Sequence, residues 1–155
     1  MQTQVMFYLL NDKKVELKGS DAIDTSSAFY HACLQASYFY RQNQRVFIYT
    51  QDKQSAEKID EMLWAFDSDS FVPHNLVGEG PKQGAAVEID SQAPTGHRPV
   101  LINLTSTVPS FANKFQFIVD FVPCDESLKQ QARERFKTCR KWGFQVNNQA
   151  VAECA

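Results

Sequence analysis

Arg45-Val-Phe-Ile-Tyr-Thr50 is a continuous apolar and β-branched run, too short for a buried helix and suited to a strand covered on both faces, as in a parallel sheet. On its C-terminal side, residues 52–66 repeat Ala56, Ile59, Leu63 and Phe66 along one helical face. On its N-terminal side, residues 25–43 predict another helix. It opens on Asp24-Thr25-Ser26-Ser27, a cluster of N-cap residues, and carries Phe29, Ala32, Cys33, Ala36 and Phe39 or Tyr40 at spacings of three and four. Farther upstream, Val5-Met-Phe-Tyr-Leu-Leu10 is a second covered-strand run, bounded by Asn11-Asp12. Strand, helix, strand, helix implies parallel βαβ units.

The pattern continues toward the C-terminus. Ala85-Ala-Val-Glu-Ile89, Pro99-Val-Leu-Ile-Asn-Leu104 and Gln116-Phe-Ile-Val-Asp-Phe121 supply three more strands, and residues 127–142 a last helix. The expected fold is α/β: a Rossmann-like three-layer α/β/α sandwich with a largely parallel central sheet. Residues 78–96 hold four of the six glycines and two prolines, which places loops there around the short strand at 85–89. We expect one domain over residues 1–146 and a tail over 147–155.

With 155 residues, 43% hydrophobic content and 12 Phe, the chain can bury a core without staples. The net charge of −2 lacks the positive excess of a generic DNA binder. Its distribution is uneven: residues 1–90 hold 8 Lys or Arg against 13 Asp or Glu, and residues 127–155 hold 6 against 2. Cys33, Cys124, Cys139 and Cys154 form no C-x-x-C pair and have no His at zinc-finger spacing, so neither a metal site nor a redox motif is supported. The N-terminus has no basic leader or cleavage site, and no apolar run approaches the roughly 18–20 residues of a membrane span. The expectation is a soluble cytoplasmic protein without cofactor.

No constellation of residues in the sequence assembles an active site. After the first strand stands Asn11-Asp-Lys-Lys14 where a dinucleotide site needs glycines. Gly78-Glu-Gly-Pro-Lys-Gln-Gly84 lacks the Lys-Ser/Thr ending of a P-loop and places Glu79 where phosphate would bind. His31, His74 and His97 fall in three separate segments. Asp60-Glu61 and Asp125-Glu126 are adjacent pairs that do not converge on one point of a helix, and the second pair suits a helix N-terminus. Cys124 and Cys139 have no visible His partner and fit small buried hydrophobes.

The last helix is more informative. At about 100° per residue, Lys129, Arg133, Phe136, Lys137 and Arg140 share an arc of about 100°, while Leu128, Ala132, Cys139 and Trp142 occupy the neighbouring, core-facing arc. Arg135 also falls in that second arc, against expectation. The stripe has two readings: a solvated basic face, or a site for an acidic ligand with an apolar end. In the second, Arg133 grips a carboxylate, Lys129 and Lys137 act as point charges, and Val122 with Phe136 wall an apolar pocket. One aromatic on a helix is a poor stacking platform for single-stranded DNA. A second feature is Met62-Leu-Trp64-Ala-Phe66 followed by Ser70-Phe71-Val-Pro-His-Asn-Leu76. Trp64 and Phe71 are either core residues or, if exposed, anchors of a protein interface.

Phe7-Tyr-Leu-Leu10, Asp60-Glu-Met-Leu-Trp64, Ser70-Phe-Val-Pro-His-Asn-Leu76, Gly78-Glu-Gly-Pro81, Asp120-Phe-Val-Pro123, Ser127-Leu-Lys-Gln130 and Ala132-Arg-Glu-Arg135 with Lys137 resemble, in order and spacing, the DNA polymerase III chi subunit family. The likeness spans residues 5–146. It implies a non-catalytic adaptor of the clamp-loader assembly that forms a heterodimer with the psi subunit. It also implies binding of the C-terminal tail of single-stranded DNA-binding protein, which is acidic and ends in an aromatic residue with a free carboxylate. By motif, Lys129, Arg133, Lys137 and the neighbouring Arg140 would meet the tail's charges and Val122 and Phe136 would line its pocket. Trp64 and Phe71 would face psi, or a repair helicase that some members bind on the same surface. The family often carries Tyr where this chain has Phe136. Two rival readings predict different behaviour: a Rossmann-like nucleotide-binding enzyme would need a phosphate-binding first turn, and a direct single-stranded DNA binder would need salt-sensitive affinity for bare oligonucleotide.

Overall fold

The computed structural model describes residues 3–10, 14–16, 22–24, 28–66, 73–76, 85–94, 98–123 and 125–150. Phe71, His97, Cys124, residues 25–27 of the cap cluster, the 78–84 glycine run and residues 151–155 lie outside them, as does the side chain of Phe66. In chain order the elements are β1 (Gln4–Leu9), β2 (Lys14–Glu16), β3 (Ala22–Asp24), α1 (Ala28–Arg41), β4 (Val46–Thr50), α2 (Lys53–Phe66), β5 (His74–Leu76), β6 (Val87–Asp90), β7 (Val100–Leu104), the 3-10 turn η1 (Ala112–Lys114), β8 (Phe117–Val122), α3 (Glu126–Lys141) and β9 (Gln145–Ala150).

Seven strands form one sheet in the order β5-β6-β4-β7-β8-β1-β9, with β2 and β3 pairing separately as an antiparallel ribbon. Every pairing in the large sheet is parallel. The strand interiors are buried on both sides, as the apolar runs require. Val46, Ile48, Val100, Ile102 and Val119 pack beneath Ala32, Cys33 and Ala36 of α1 and Ile59 and Leu63 of α2. Phe47, Leu101 and Ile118 point the other way, toward Ala112, Phe115 and Cys139. Each fully buried aliphatic side chain contributes about 1.5–3 kcal/mol of transfer free energy, and this double covering makes the three layers.

Connections running toward β5 carry α1 and α2 on one face, and those running toward β9 carry η1 and α3 on the other. That segregation is what right-handed crossovers impose on a parallel sheet. β4 leads one way and its neighbour β7 the other, so the winding reverses between them.

The expected strands and helices are all present, and where their ends differ within the described residues they do so by one or two positions. Two strands of the sheet were not anticipated. β5 follows Pro73 directly and is only three residues long, an arrangement that proline permits at a sheet edge. β9, Gln-Val-Asn-Asn-Gln-Ala, has a single strongly apolar residue because it too is an edge strand, largely exposed. It carries regular structure four residues past the boundary drawn at 146, into the segment read as a tail.

Both α1 and α3 end in the same way. After α3, Gly143 donates to the Arg140 carbonyl at 3.1 Å and Phe144 to the Cys139 carbonyl at 3.1 Å, with Gly143 at φ 85°. After α1, Asn43 donates to Tyr40 at 3.0 Å and Gln44 to Phe39 at 2.9 Å, with Asn43 at φ 60°. These are Schellman closures, which need a left-handed residue after the cap. A Cβ on Gly143 would meet nothing within 4 Å, so Gly143→Ala is strained by backbone conformation alone. It is expected to cost about 1 kcal/mol, read as a lowered midpoint in urea unfolding with an unchanged slope.

Candidate functional site

α3 is fixed at its start and at its middle. Asp125, at φ −62° and ψ 130°, accepts from the Leu128 N–H at 3.0 Å, and Glu126 adds charge in the first turn. The acidic pair is therefore a helix start, as its position suggested. In the middle, Arg135 turns inward: its Nε lies 2.9 Å and 3.2 Å from the two Asp120 carboxylate oxygens, Nη2 donates to the Phe121 carbonyl at 3.0 Å and Nη1 to the Ser106 carbonyl at 3.3 Å. Both side chains are buried. Burial pushes the Asp120 carboxyl above its ordinary range, opposed by Arg135, the Phe121 N–H and Asn103. Arg135 thus belongs to the scaffold, and the cationic stripe is made by the others.

The inward side of α3 is Ala132, Arg135 and Cys139, all buried. Leu128 and Trp142, expected with them, are 46% and 45% exposed. Leu128 sits in the first helical turn and Trp142 is the C-cap, where the sheet no longer lies under the helix.

On the flank toward β9, a cavity of about 380 Å³ opens between α3, the end of β1 and β9. It is lined by Phe7, Leu9, Leu10, Val122, Pro123, Lys129, Ala132, Arg133, Phe136 and Asn148. Four of the six residues assigned to a tail site meet here: Val122, Lys129, Arg133 and Phe136. The Phe136 ring packs 5.3 Å from that of Phe7, so the aromatic wall is supported from behind. Lys129 lies 3.6 Å from Glu126. Arg133 is exposed and hydrogen-bonds only Gln130, at 3.4 Å, leaving its guanidinium without a carboxylate partner among the described residues. Lys137 and Arg140 are exposed outside the cavity, the former 3.6 Å from Glu134. Leu9, 40% exposed, and Asn148 were not singled out from the sequence. Nothing in the sequence marked the first, because Leu9 stands in an apolar run that reads as covered on both faces; the second depends on β9.

On the other flank of α3, at the C-terminal ends of the strands where the winding reverses, lies a cavity of about 470 Å³ lined by Phe29, Gln51, Ser55, Asn103 to Ser106, Asp120, Leu128, Gln131 and Arg135 among others. Such a crevice is where open α/β sheets bind nucleotides. The residues here do not suit a phosphate. Arg135, the only cation among the lining residues, is engaged by Asp120 and two carbonyls, and the bordering starts of α2 and α3 are occupied by Asp52, 2.8 Å from the Ser55 N–H, and Asp125. Carboxylates at both helix N-termini repel an anion.

At the opposite end of the sheet Trp64 is 62% exposed. Its ring makes an edge contact with His74 at 4.9 Å, and His74 Nε2 lies 3.5 Å from the Asp60 carboxylate. His31 is buried in α1. Burial pushes the thiols of Cys33 and Cys139 up to about 12, which leaves both protonated and unreactive. Among the described residues no group of three His, Cys, Asp or Glu could hold a metal ion, and no helix is long and apolar enough to cross a membrane.

A family model described as DNA polymerase III chi subunit, HolC, matches residues 1–147. The chain belongs to the DNA polymerase III chi family. It is 43% identical over 143 residues to the chi subunit of Escherichia coli K12, covering 91% of this chain and 93% of that one. The chi subunit of Haemophilus influenzae is 39% identical over 122 residues, covering 77% and 85%, and that of Pseudomonas aeruginosa 28% over 146 residues, covering 94% and 95%. Among solved structures, the crystal structure of T4 UvsW matches with a TM-score of 0.61 at 9% identity, over 97% of this chain and 41% of that one; at that identity the likeness concerns the fold. Membership of the chi family places the protein in DNA replication, as a subunit of DNA polymerase III.

Proposed function

We propose that this chi-family chain is a non-catalytic, cytoplasmic adaptor that tethers the clamp-loader assembly to template coated with single-stranded DNA-binding protein. The observation that carries the reading is the cavity beside α3. Its floor is apolar, its aromatic wall is Phe136, and its rim holds Arg133, whose planar fork of donors has no carboxylate partner among the described residues, and Lys129 beside it. That combination suits the end of a peptide that is aromatic, carboxylated and preceded by acidic residues. Lys137 and Arg140, outside the cavity, extend the positive surface along the path of the upstream residues. Trp64, projecting from α2 and braced by His74, is the anchor for psi, together with Phe71; a repair helicase using the same surface would compete with psi.

The experiment is a calorimetric titration with a peptide copying the acidic, aromatic-ended tail, as free acid and as C-terminal amide. Binding of the free acid and at least about tenfold weaker binding of the amide are expected, from loss of a charge-assisted hydrogen bond. Equal affinity of the two forms, or no binding of either, refutes the tail site.

A further inference from the structure

Among the described residues the sheet ends at β9 with an open edge. Among the described residues β9 pairs only with β1, and the Gln145 N–H donates to the Thr3 carbonyl at 2.9 Å. In a parallel pair alternate residues bond to the neighbour. Residues 145, 147 and 149 therefore face β1, and Val146, Asn148 and Ala150 direct their N–H and C=O groups outward. Natural edges of this kind are blunted by proline, charge or bulges. β9 is six residues long and contains neither proline nor a charged residue, whereas the opposite edge strand, β5, has three residues.

This open edge adjoins the cavity beside α3. Asn148 belongs to both, its side chain lining the cavity opposite Lys129 and Arg133 and its main chain lying on the edge. Cations line the same flank of α3, where Arg133 and Arg140 have no ion pair among the described residues. Two copies joined edge to edge would bring two such flanks together, so the charge favours an acidic peptide over a second copy. The direction agrees as well. As a crossover between parallel strands, α3 runs antiparallel to β9, so a peptide with its carboxy terminus near Lys129 and Arg133 and its upstream residues passing Lys137 and Arg140 runs parallel to β9. From Lys129 to Arg140 the helix rises about 16 Å, matched by about five extended residues.

We propose that the acidic tail binds in part as an eighth strand: its upstream main chain pairs in parallel with the outer edge of β9 while its terminal aromatic and carboxylate occupy the cavity. This rests on the tail reading above and specifies how the peptide is held.

The test is amide hydrogen exchange on the wild-type protein, with and without saturating free-acid peptide, joined to titration of Asn148→Ala, Asn148→Pro and Ala150→Pro. Proline removes an outward N–H at a position where an edge strand tolerates it, leaving the β1 pairing intact; the alanine variant isolates the loss of the Asn148 side chain. Expected are slowed exchange at residues 148 and 150 and affinities for both proline variants about tenfold below that of Asn148→Ala, the size of one lost hydrogen bond. If the peptide binds in the manner that requires Arg133 but exchange at 148 and 150 is unchanged, strand addition is refuted and the cavity stands. If the edge is already protected in concentrated protein without peptide, a second copy occupies it and the proposal is overturned. If neither free acid nor amide binds, it falls together with the tail reading.

Discussion

Arg135→Met is expected to destabilise the protein by about 3–5 kcal/mol, the usual cost of stripping one partner from a buried ion pair. The substitution keeps an unbranched aliphatic stem but leaves the Asp120 carboxylate in a dry site between β8 and α3. It also removes donors from the carbonyls of Phe121 and Ser106. The loss should grow with pH. Burial already raises the Asp120 carboxyl and Arg135 is the main force lowering it, so the variant's folded state keeps a proton that the unfolded chain has released. A folded carboxyl raised above its unfolded value contributes stability that is lost as pH climbs from the ordinary carboxylate range toward the raised value. Urea unfolding at pH 5 and pH 8 reads this directly, with the larger loss at pH 8. The double variant Asp120→Leu with Arg135→Met should recover most of the stability, since an apolar pair of similar volume removes the stranded charge. A loss below about 1 kcal/mol in the single variant would mean that water reaches the carboxylate.

Arg133→Ala is expected to weaken binding of the free-acid tail peptide by about 1.5–3 kcal/mol, roughly 10- to 150-fold, the range for a hydrogen bond to a charged group. The fold should be untouched because Arg133 is exposed and its one hydrogen bond among the described residues is a long contact with Gln130. Arg140→Ala and Lys137→Ala should each cost less than about 1 kcal/mol, as exposed charges outside the cavity, and their effects should fade first as salt is added. Calorimetry on the three variants at two salt concentrations separates the contributions. Equal losses from all three would indicate a diffuse charge attraction and no gripping residue.

The residues that made the fold legible were those whose surroundings are uniform. Val46 to Tyr49 have protein on both sides and advertise it with an apolar run; Ile59 and Leu63 have it on one side and advertise it with helical spacing. β9 was missed because an edge strand at the margin of the sheet has no such pattern to display, and the shape of the cavity beside α3 was missed with it. Helix periodicity brought Lys129, Arg133 and Phe136 together correctly, but it measures angle about an axis and not what lies opposite. It placed Leu128 and Trp142 toward a core that does not extend to the ends of α3. It also set Arg135 among buried positions while offering no partner, because Asp120 is fifteen residues away on another element. Pairings of that kind follow from the order of strands in the sheet, which no local pattern contains.

β1, the first of the described strands, lies between β8 and β9, the last two of them, with Gln4 opposite both Phe117 and Gln145. The cavity joins residues 7–10 to residues 122–148, so everything from residue 7 to residue 148 must leave the ribosome before its walls can meet. A chain that stops short of residue 148 therefore lacks one wall of the cavity. β1 must also wait for both of its neighbours to be made, and a pairing so distant in sequence forms slowly. The cavity is thus assembled in one late step, when β9 takes its place beside β1.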